Sequence, residues 1–318
     1  MIETRHLTKI FGLNTAVDDV SFSVDKGEVL GFLGPNAAGK STTMRMITGF
    51  LPPTSGTVVV GGHDIVEDSL PARKMIGYLP ENAPVYPDMT VTGFLDFVAG
   101  IRGFRGKNKG RRVEDTIKRC FLGDVRHQTV NTLSKGFKQR VCFAQSILPD
   151  PAYLVMDEPT DGLDPNQKHE VRAMIREMAR DKAIILSTHN LDEVDAICTR
   201  AIIIAGGRIL ADDTPEKLKA RSSLHGAVRF TVRKVGGEDL KRDLIDVRGV
   251  SDARILEETD SHITIRVYPE EKGVPPGEAV LSYFMDRRRP VEAFQVEEGR
   301  LDAVFRLVTT DDMGEDEP

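Results

Sequence analysis

At 318 residues the chain is long for one small module and short for three, so two domains are expected. Hydrophobic residues make up 40% and charged residues 29%, which allows a proper buried core. Lys and Arg number 43 against 49 Asp and Glu, a net charge of −6 that argues against bulk electrostatic capture of nucleic acid. No apolar run reaches the roughly 18 residues of a membrane span. The start, Met1-Ile2-Glu3-Thr4-Arg5-His6, lacks the basic and apolar regions of a secretory signal. Cys120, Cys142 and Cys198 are far apart and form no C-x-x-C pair, so a reducing cytosol is expected rather than a disulfide framework or a zinc site.

The first 80 residues read as strands punctuated by glycines. Glu28–Gly34 is a short apolar run that stops at a glycine-rich turn, and a helix over Gly39–Phe50 opens from that turn. Further strands are expected at Thr57–Val60 and Ile76–Leu79. From Thr90, a plausible N-cap, the apolar residues Phe94, Leu95, Phe97, Val98 and Ile101 recur at helical spacing. Residues 102–119 are rich in Arg and Lys and broken by glycines, which reads as a solvated helix–loop–helix, with contact to anionic lipid or nucleic acid as the other reading. A helix over Gly136–Leu148, a buried strand at Tyr153–Met156, a helix over 165–180, a strand at Ala183–Ser187, a helix over 191–197 and a strand at Ala201–Ala205 follow. This alternation predicts an α/β domain with a mostly parallel sheet, and residues 82–150 a helical insertion into it. Beyond about 220 a βαββαβ order suggests a small ferredoxin-like α+β domain over 221–310, with a final helix at Leu301–Val308 and an acidic tail over 311–318.

Two motifs carry chemistry. Gly34-Pro35-Asn36-Ala37-Ala38-Gly39-Lys40-Ser41 fits G-x-x-x-x-G-K-[ST], with a strand before it and a helix after it. Such a loop surrounds an anion with backbone N–H groups and a helix N-terminus. Lys40 would reach the β- and γ-phosphates, the Ser41 hydroxyl would ligate Mg²⁺, and Thr42 would help on the α-phosphate side. Tyr153–Met156 then delivers Asp157 and Glu158 to a strand end, where open α/β sheets bind ligands. Asp157 would hold Mg²⁺ through water, and Glu158 would orient or deprotonate the attacking water. Together the two motifs imply a nucleoside triphosphatase.

Leu133-Ser134-Lys135-Gly136-Phe137-Lys138-Gln139-Arg140 resembles the LSGGQ-x-QR signature of ATP-binding cassette (ABC) ATPases. Asp161-Gly162-Leu163-Asp164-Pro165 resembles the D-loop of that family, and Ser187-Thr188-His189 its switch histidine. The resemblance covers roughly residues 1–220. It implies a P-loop cassette with a RecA-like core and a helical subdomain, binding ATP and Mg²⁺. It also implies that Phe11 stacks on adenine, that His189 holds the γ-phosphate and attacking water, and that Ser134 and Gly136 contact the γ-phosphate bound by another copy. Asp164 would cross to the partner's loop. A competent site then needs two cassettes head to tail, as a homodimer or with a sister ATPase.

Three departures stand out. Ala37 replaces a frequent glycine, tolerable if its φ stays negative. Lys135 and Phe137 replace the second Gly-type and the Gln-type signature positions. Glu81, in Gly77-Tyr78-Leu79-Pro80-Glu81, stands at the usual Gln and would add negative charge near Mg²⁺. The L-P-E version, Pro84–Val91, L-S-K-G-F-K-Q-R and the C-terminal helix resemble one subset, the ABC-2 exporters similar to gliding-motility and multidrug-efflux ATPases. That implies a peripheral subunit on the cytoplasmic side of the cell membrane, driving a separate integral membrane permease, with no nucleic acid partner. In Asn82-Ala83-Pro84-Val85-Tyr86-Pro87, Val85 and Tyr86 are candidate anchors for the permease, or they simply pack the helical insertion onto its own sheet. A soluble ABC ATPase not coupled to transport and an accessory subunit with little turnover are the other readings.

Overall fold

The computed structural model describes residues 1–81, 85–234 and 240–311. These fall into two compact units, Met1–Thr214 and Pro215–Pro318. The second unit therefore includes a short helix that lies before residue 220.

The first unit opens with an antiparallel pair, β1 (Ile2–Phe11) and β2 (Asn14–Val24), then β3 (Val29–Leu33) and α1 (Lys40–Ile47). β4 (Ser55–Val60), β5 (His63–Asp64), α2 (Ser69–Lys74) and β6 (Ile76–Leu79) follow. The helical insertion is α3 (Val91–Ile101), α4 (Gly106–Arg119) and α5 (Lys135–Ile147). The unit closes with β7 (Tyr153–Asp157), α6 (Pro165–Met178), β8 (Ala183–Thr188), α7 (Leu191–Ile197), β9 (Arg200–Ala205) and β10 (Arg208–Asp213). β6, β7, β8, β3 and β9 form a parallel sheet to which β10 adds an antiparallel edge. β2, β1, β4 and β5 form a separate antiparallel sheet.

The central strands are buried on both faces, so their sequences read as continuous apolar runs. Alternate residues serve different cores. Leu154, Met156, Ile184 and Leu186 point toward the helical side, with Phe94, Ile117, Phe143 and Ile175. Val155, Ile185, Leu30 and Phe32 point the other way, toward Met44, Ile47 and the antiparallel sheet.

Register positions the site. Leu33 pairs with Thr188, Asp157 with Ser187, and Leu79 with Met156. The strands β3, β7, β8 and β6 thus end nearly level, and the residues just past those ends are neighbours, as the topology of open parallel sheets requires of a ligand site.

Thr90 caps α3 as its sequence suggests, its side chain accepting from the Gly93 N–H at 3.1 Å. The expected helix–loop–helix over 102–119 is corrected: α4 runs unbroken through Gly110. Burial of Val113, Thr116 and Ile117 on one face outweighs the ~1 kcal/mol that an internal glycine costs.

The second unit begins with α8 (Pro215–Ala220) and β11 (Val228–Arg233). It continues with α9 (Leu240–Ile245), β12 (Val250–Glu258), β13 (His262–Pro269), α10 (Gly277–Asp286), β14 (Val291–Val296) and α11 (Leu301–Asp311). The βαββαβ segment forms one antiparallel sheet in the order β12-β13-β11-β14. Its core joins Phe230 and Ile265 of the sheet to Leu244 of α9 and Phe284 of α10. Residues 312–318 of the acidic tail lie outside the described residues.

Each apolar cluster draws on one unit alone. A chain ended after Thr214 is therefore expected to fold and melt in one cooperative transition, measured by circular dichroism, and to be stabilised by ATP. An insoluble fragment would show that the first unit depends on the second.

Candidate active site

The loop after β3 is shaped by close approaches. A Cβ on Gly34 would run into the carbonyl oxygen of Ile204, and one on Gly39, at φ +102°, would sit 2.5 Å from the Ala16 carbonyl oxygen. Lys40, the first residue of α1, is buried, and its Nζ donates to the carbonyls of Gly34 at 2.6 Å and Pro35 at 2.9 Å. The ammonium thus lies under the loop. Burial lowers its pKa, opposed by the charges of Glu158, Asp157 and Glu81.

Ala37 departs from expectation. Its φ is +64°, not negative. The loop requires a left-handed turn there, which an alanine adopts at a cost of about 1 kcal/mol.

A cavity of about 610 Å³ gathers the nucleotide motifs. Phe11, Asn36, Ala37, Ala38, Gly39, Lys40, Ser41, Thr42, Glu81, Asp157, Glu158 and His189 all line it. Gly34 and Pro35 supply the carbonyls beneath it. Phe11 is 48% exposed at the end of β1, so its ring stands outside the core, with Lys9 Nζ over the ring at 5.2 Å from its centroid. Asn14, Ala16 and Asp161 also line the cavity. No motif marks Asn14 and Ala16, which enter through β2, and the D-loop resemblance gave a role only to Asp164.

The two carboxylates at the end of β7 divide as their environments dictate. Asp157 is buried and accepts from the Ser187 hydroxyl. Glu158 turns the chain at φ +50° immediately before Pro159, a position that favours extended backbone. Such strain gathers at functional sites. Its Oε1 accepts from the His189 backbone N–H at 3.0 Å and lies 2.7 Å from His189 Nδ1. Its own N–H continues the ladder to the Ser187 carbonyl at 3.1 Å. The Glu158 side chain is 15% exposed and the His189 side chain 68%, so the histidine covers the acid from the solvent side.

Ser41, Glu81 and Asp157 present only oxygen donors to this cavity. That is the donor chemistry of Mg²⁺, which takes few protein ligands and completes its shell with phosphate and water. These residues fit the ion.

Ser134, Gly136 and Asp164 do not line the cavity. Ser134 is the N-cap of α5 and accepts from the Phe137 N–H at 3.3 Å; Asp164 caps α6 and accepts from the Gln167 N–H at 2.9 Å. The first turn of α5 carries Lys135 and no acid, which leaves the helix's positive end unneutralised. Lys135 Nζ pairs with Asp161 at 2.7 Å, and that hydrogen bond lowers the Asp161 pKa. Gln139 Nε2 donates to the Glu158 carbonyl at 3.2 Å. Two side chains of α5 thus clasp the turn that follows the second acid.

The family model described as ABC transporter matches residues 17–161. The linearmycin resistance ATP-binding protein LnrL of Bacillus subtilis is 30% identical over 312 residues, spanning 97% of this chain and 98% of that one. The chain belongs to the ABC transporter family. A protein of Escherichia coli named a probable multidrug ABC transporter ATP-binding protein, YbhF, is 38% identical over 224 residues. That match covers 70% of this chain and 39% of YbhF, so the chain spans about two-fifths of that relative. A solved ATP-binding subunit of an ABC transporter superposes with a TM-score of 0.64 at 29% identity, covering 69% of this chain and 92% of that one. The first unit is therefore an ATP-binding cassette.

Ala37→Gly is expected to relieve the left-handed strain, partly offset by the greater freedom glycine gives the unfolded chain. A net gain of about 0.5 kcal/mol in unfolding free energy, measured in urea without nucleotide, is the expected result. A loss of stability would show that the alanine methyl has a packing role.

Proposed function

We propose that the protein is the ATP-hydrolysing subunit of a bacterial exporter, acting on the cytoplasmic side of the cell membrane through a separate permease. The observation that carries this reading is the convergence of Lys40, Asp157, Glu158 and His189 on one cavity. The loop N–H groups and the N-terminus of α1 receive the phosphates of ATP, and Lys40 supplies positive charge beside them. Mg²⁺, held by Ser41 with Asp157 and Glu81 behind it, would neutralise the phosphate oxygens when bound. Glu158 takes the proton from the attacking water, and His189, bonded to the same carboxylate, fixes its direction. Phe11 offers its exposed ring to the adenine.

The site is half of a working unit in this reading. Ser134 and Gly136 sit at an unneutralised helix N-terminus that faces no phosphate in its own chain, which suits a γ-phosphate held by a second cassette. Asp164 would meet that cassette's loop. The second cassette is another copy or a sister ATPase.

Coupling to a permease has its own support. A cavity of about 740 Å³ opens between the parallel sheet and α3, lined by Phe50, Val85, Tyr86, Phe94, Phe97, Val98 and Ile101. Val85 packs into the helical core, which fits the packing reading for that residue. Tyr86 is 53% exposed, its ring edge-on to Phe97 at 5.3 Å, and Phe50 is 75% exposed. Apolar anchors in a groove suit an amphipathic helix of a partner. Asn82, Ala83 and Pro84 of the same segment lie outside the described residues. Among the described residues no helix is long and apolar enough to cross a membrane, so in this reading transport depends on the partner.

Glu158→Gln is expected to leave ATP binding intact and to slow phosphate release by roughly 10²–10⁴-fold, with ATP-bound dimer accumulating in sedimentation. Turnover within a few-fold of wild type would remove Glu158 from the role of base.

Tyr86→Asp is expected to abolish co-purification with a co-expressed permease from the neighbouring gene while ATP binding persists. Undiminished co-purification would remove Tyr86 as an anchor, and absence of any membrane partner for the wild type would favour an uncoupled ATPase.

A further inference from the structure

A buried acid feels the charge of the proposed base without lining the cavity. Glu193, in the first turn of α7, is 1% exposed. The other buried residues of α7, Val194 and Ile197, are apolar. Burying a carboxylate there costs free energy unless hydrogen bonds and charges offset it. Burial raises the Glu193 pKa; the Thr188 hydrogen bond and the Arg172 charge lower it, and the charge of Glu158 raises it. The Arg172 guanidinium on α6 stands 3.9 Å from Oε1, beyond hydrogen-bond reach. The short contact is at the other oxygen, where Glu193 Oε2 accepts from the Thr188 hydroxyl at 2.8 Å.

Helix capping alone would place this bond elsewhere. Asn190 is the N-cap of α7 and accepts from the Asp192 N–H at 3.0 Å, so Glu193 stands at the third helical position. In a capping box the acid at that position takes the N–H of the N-cap residue itself. Here the Asn190 N–H donates to the Thr188 hydroxyl oxygen at 3.0 Å, and the acid takes the proton of that hydroxyl instead. A threonine stands between the two partners of the box, and it is the residue before His189.

Thr188 is the last residue of β8, buried and paired with Leu33, so the sheet sets its position. Its hydroxyl has one proton and two lone pairs. With the proton drawn to Glu193, a lone pair faces the Asn190 N–H. That bond closes a turn over the one residue between them, His189.

The His189 side chain is largely exposed, and its Nδ1 and backbone N–H both meet Glu158 Oε1. Little packing holds such a ring, so the backbone of the turn sets where it lies. The turn in turn depends on the Thr188 hydroxyl, and the direction of that hydroxyl on Glu193.

We propose that Glu193 is a positioning residue for ATP hydrolysis: through the Thr188 hydroxyl it holds the turn that aims His189 at Glu158. The proposal rests on the reading of Glu158 as base and His189 as the group that fixes its direction. Glu193 does not line the cavity, so its effect falls on turnover and not on ATP affinity.

The test is steady-state hydrolysis and equilibrium ATP binding by the full chain. Glu193→Ala and Thr188→Val are each expected to lower kcat by roughly 10- to 100-fold, as small misplacement of a reacting group does, with ATP affinity unchanged. The double variant is expected to lose no more than either alone, because the same interaction is removed twice. Glu193→Gln keeps an oxygen acceptor for the hydroxyl and is expected to restore most of the lost kcat. Thr188→Val keeps the β-branched shape a strand accepts, so it carries the test if Glu193→Ala does not fold. Wild-type kcat in Thr188→Val, a loss that follows ATP affinity and leaves kcat alone, or turnover in Glu193→Gln as slow as in Glu193→Ala would each overturn the proposal. His189→Ala separates the two readings. Slow turnover there beside normal turnover in Thr188→Val sinks the positioning role and leaves His189 standing. Normal turnover in His189→Ala sinks the role of His189 and the proposal with it.

Discussion

One buried ammonium sets the terms for this site. Lys40 lies beneath a loop of backbone N–H groups and within reach of the charges of three carboxylates, Glu158, Asp157 and Glu81. Carboxylates beside a phosphate-binding loop repel the ligand they serve, so the cavity is balanced only when cations share it. Lys40 is one, fixed by two carbonyls of the loop. The oxygen donors of Ser41, Glu81 and Asp157 call for another. The parallel register makes this charge arrangement possible, because level ends of β3, β7 and β8 bring the loop, the two acids and the histidine together without any of them being adjacent in sequence.

Much of this was legible in the sequence, for a physical reason. Parallel strands buried on both faces are plain apolar runs, and phosphate loops admit few residues, so β3, β7, β8 and the loop announce themselves. The strands of the second unit were legible too, because alternation such as Val228, Phe230, Val232 marks a strand with one buried face. What escaped depended on long-range pairing or on backbone geometry. Asn14 and Ala16 reach the cavity by strand pairing alone and carry no motif. The continuity of α4 through Gly110 was hidden because propensity counts the glycine, while the burial of Val113 and Ile117 decides the matter.

The sign of φ at Ala37 was hidden in the same way. A residue type constrains backbone conformation only on average, and the neighbours decide. The loop bends left-handed at Ala37 and Gly39, and the chain does so just past β7, at Glu158. The left-handed turn at Glu158 carries its carboxylate to His189, while Asp157 points inward to Ser187. A relaxed extended residue would have continued the strand and sent its side chain to the opposite face of the sheet.

The unusual signature residue finds its meaning in the same turn. Lysine at the start of a helix is electrostatically unfavourable, yet Lys135 reaches Asp161 and, with Gln139, holds the segment that begins at Glu158. The pair is 71% and 51% exposed, so it adds little to stability. Its importance is geometric. In the proposed reading the N-terminus of α5 is the surface offered to a second cassette, and the turn it grips carries the base proposed for the chain's own site. Displacement of α5 on engaging a partner's nucleotide would shift Asp161, and with it the turn that orients Glu158. A glycine at position 135 would leave that turn without its ion pair, so in that reading the departure from the family signature would tie the two halves of the paired site together through side chains of one helix.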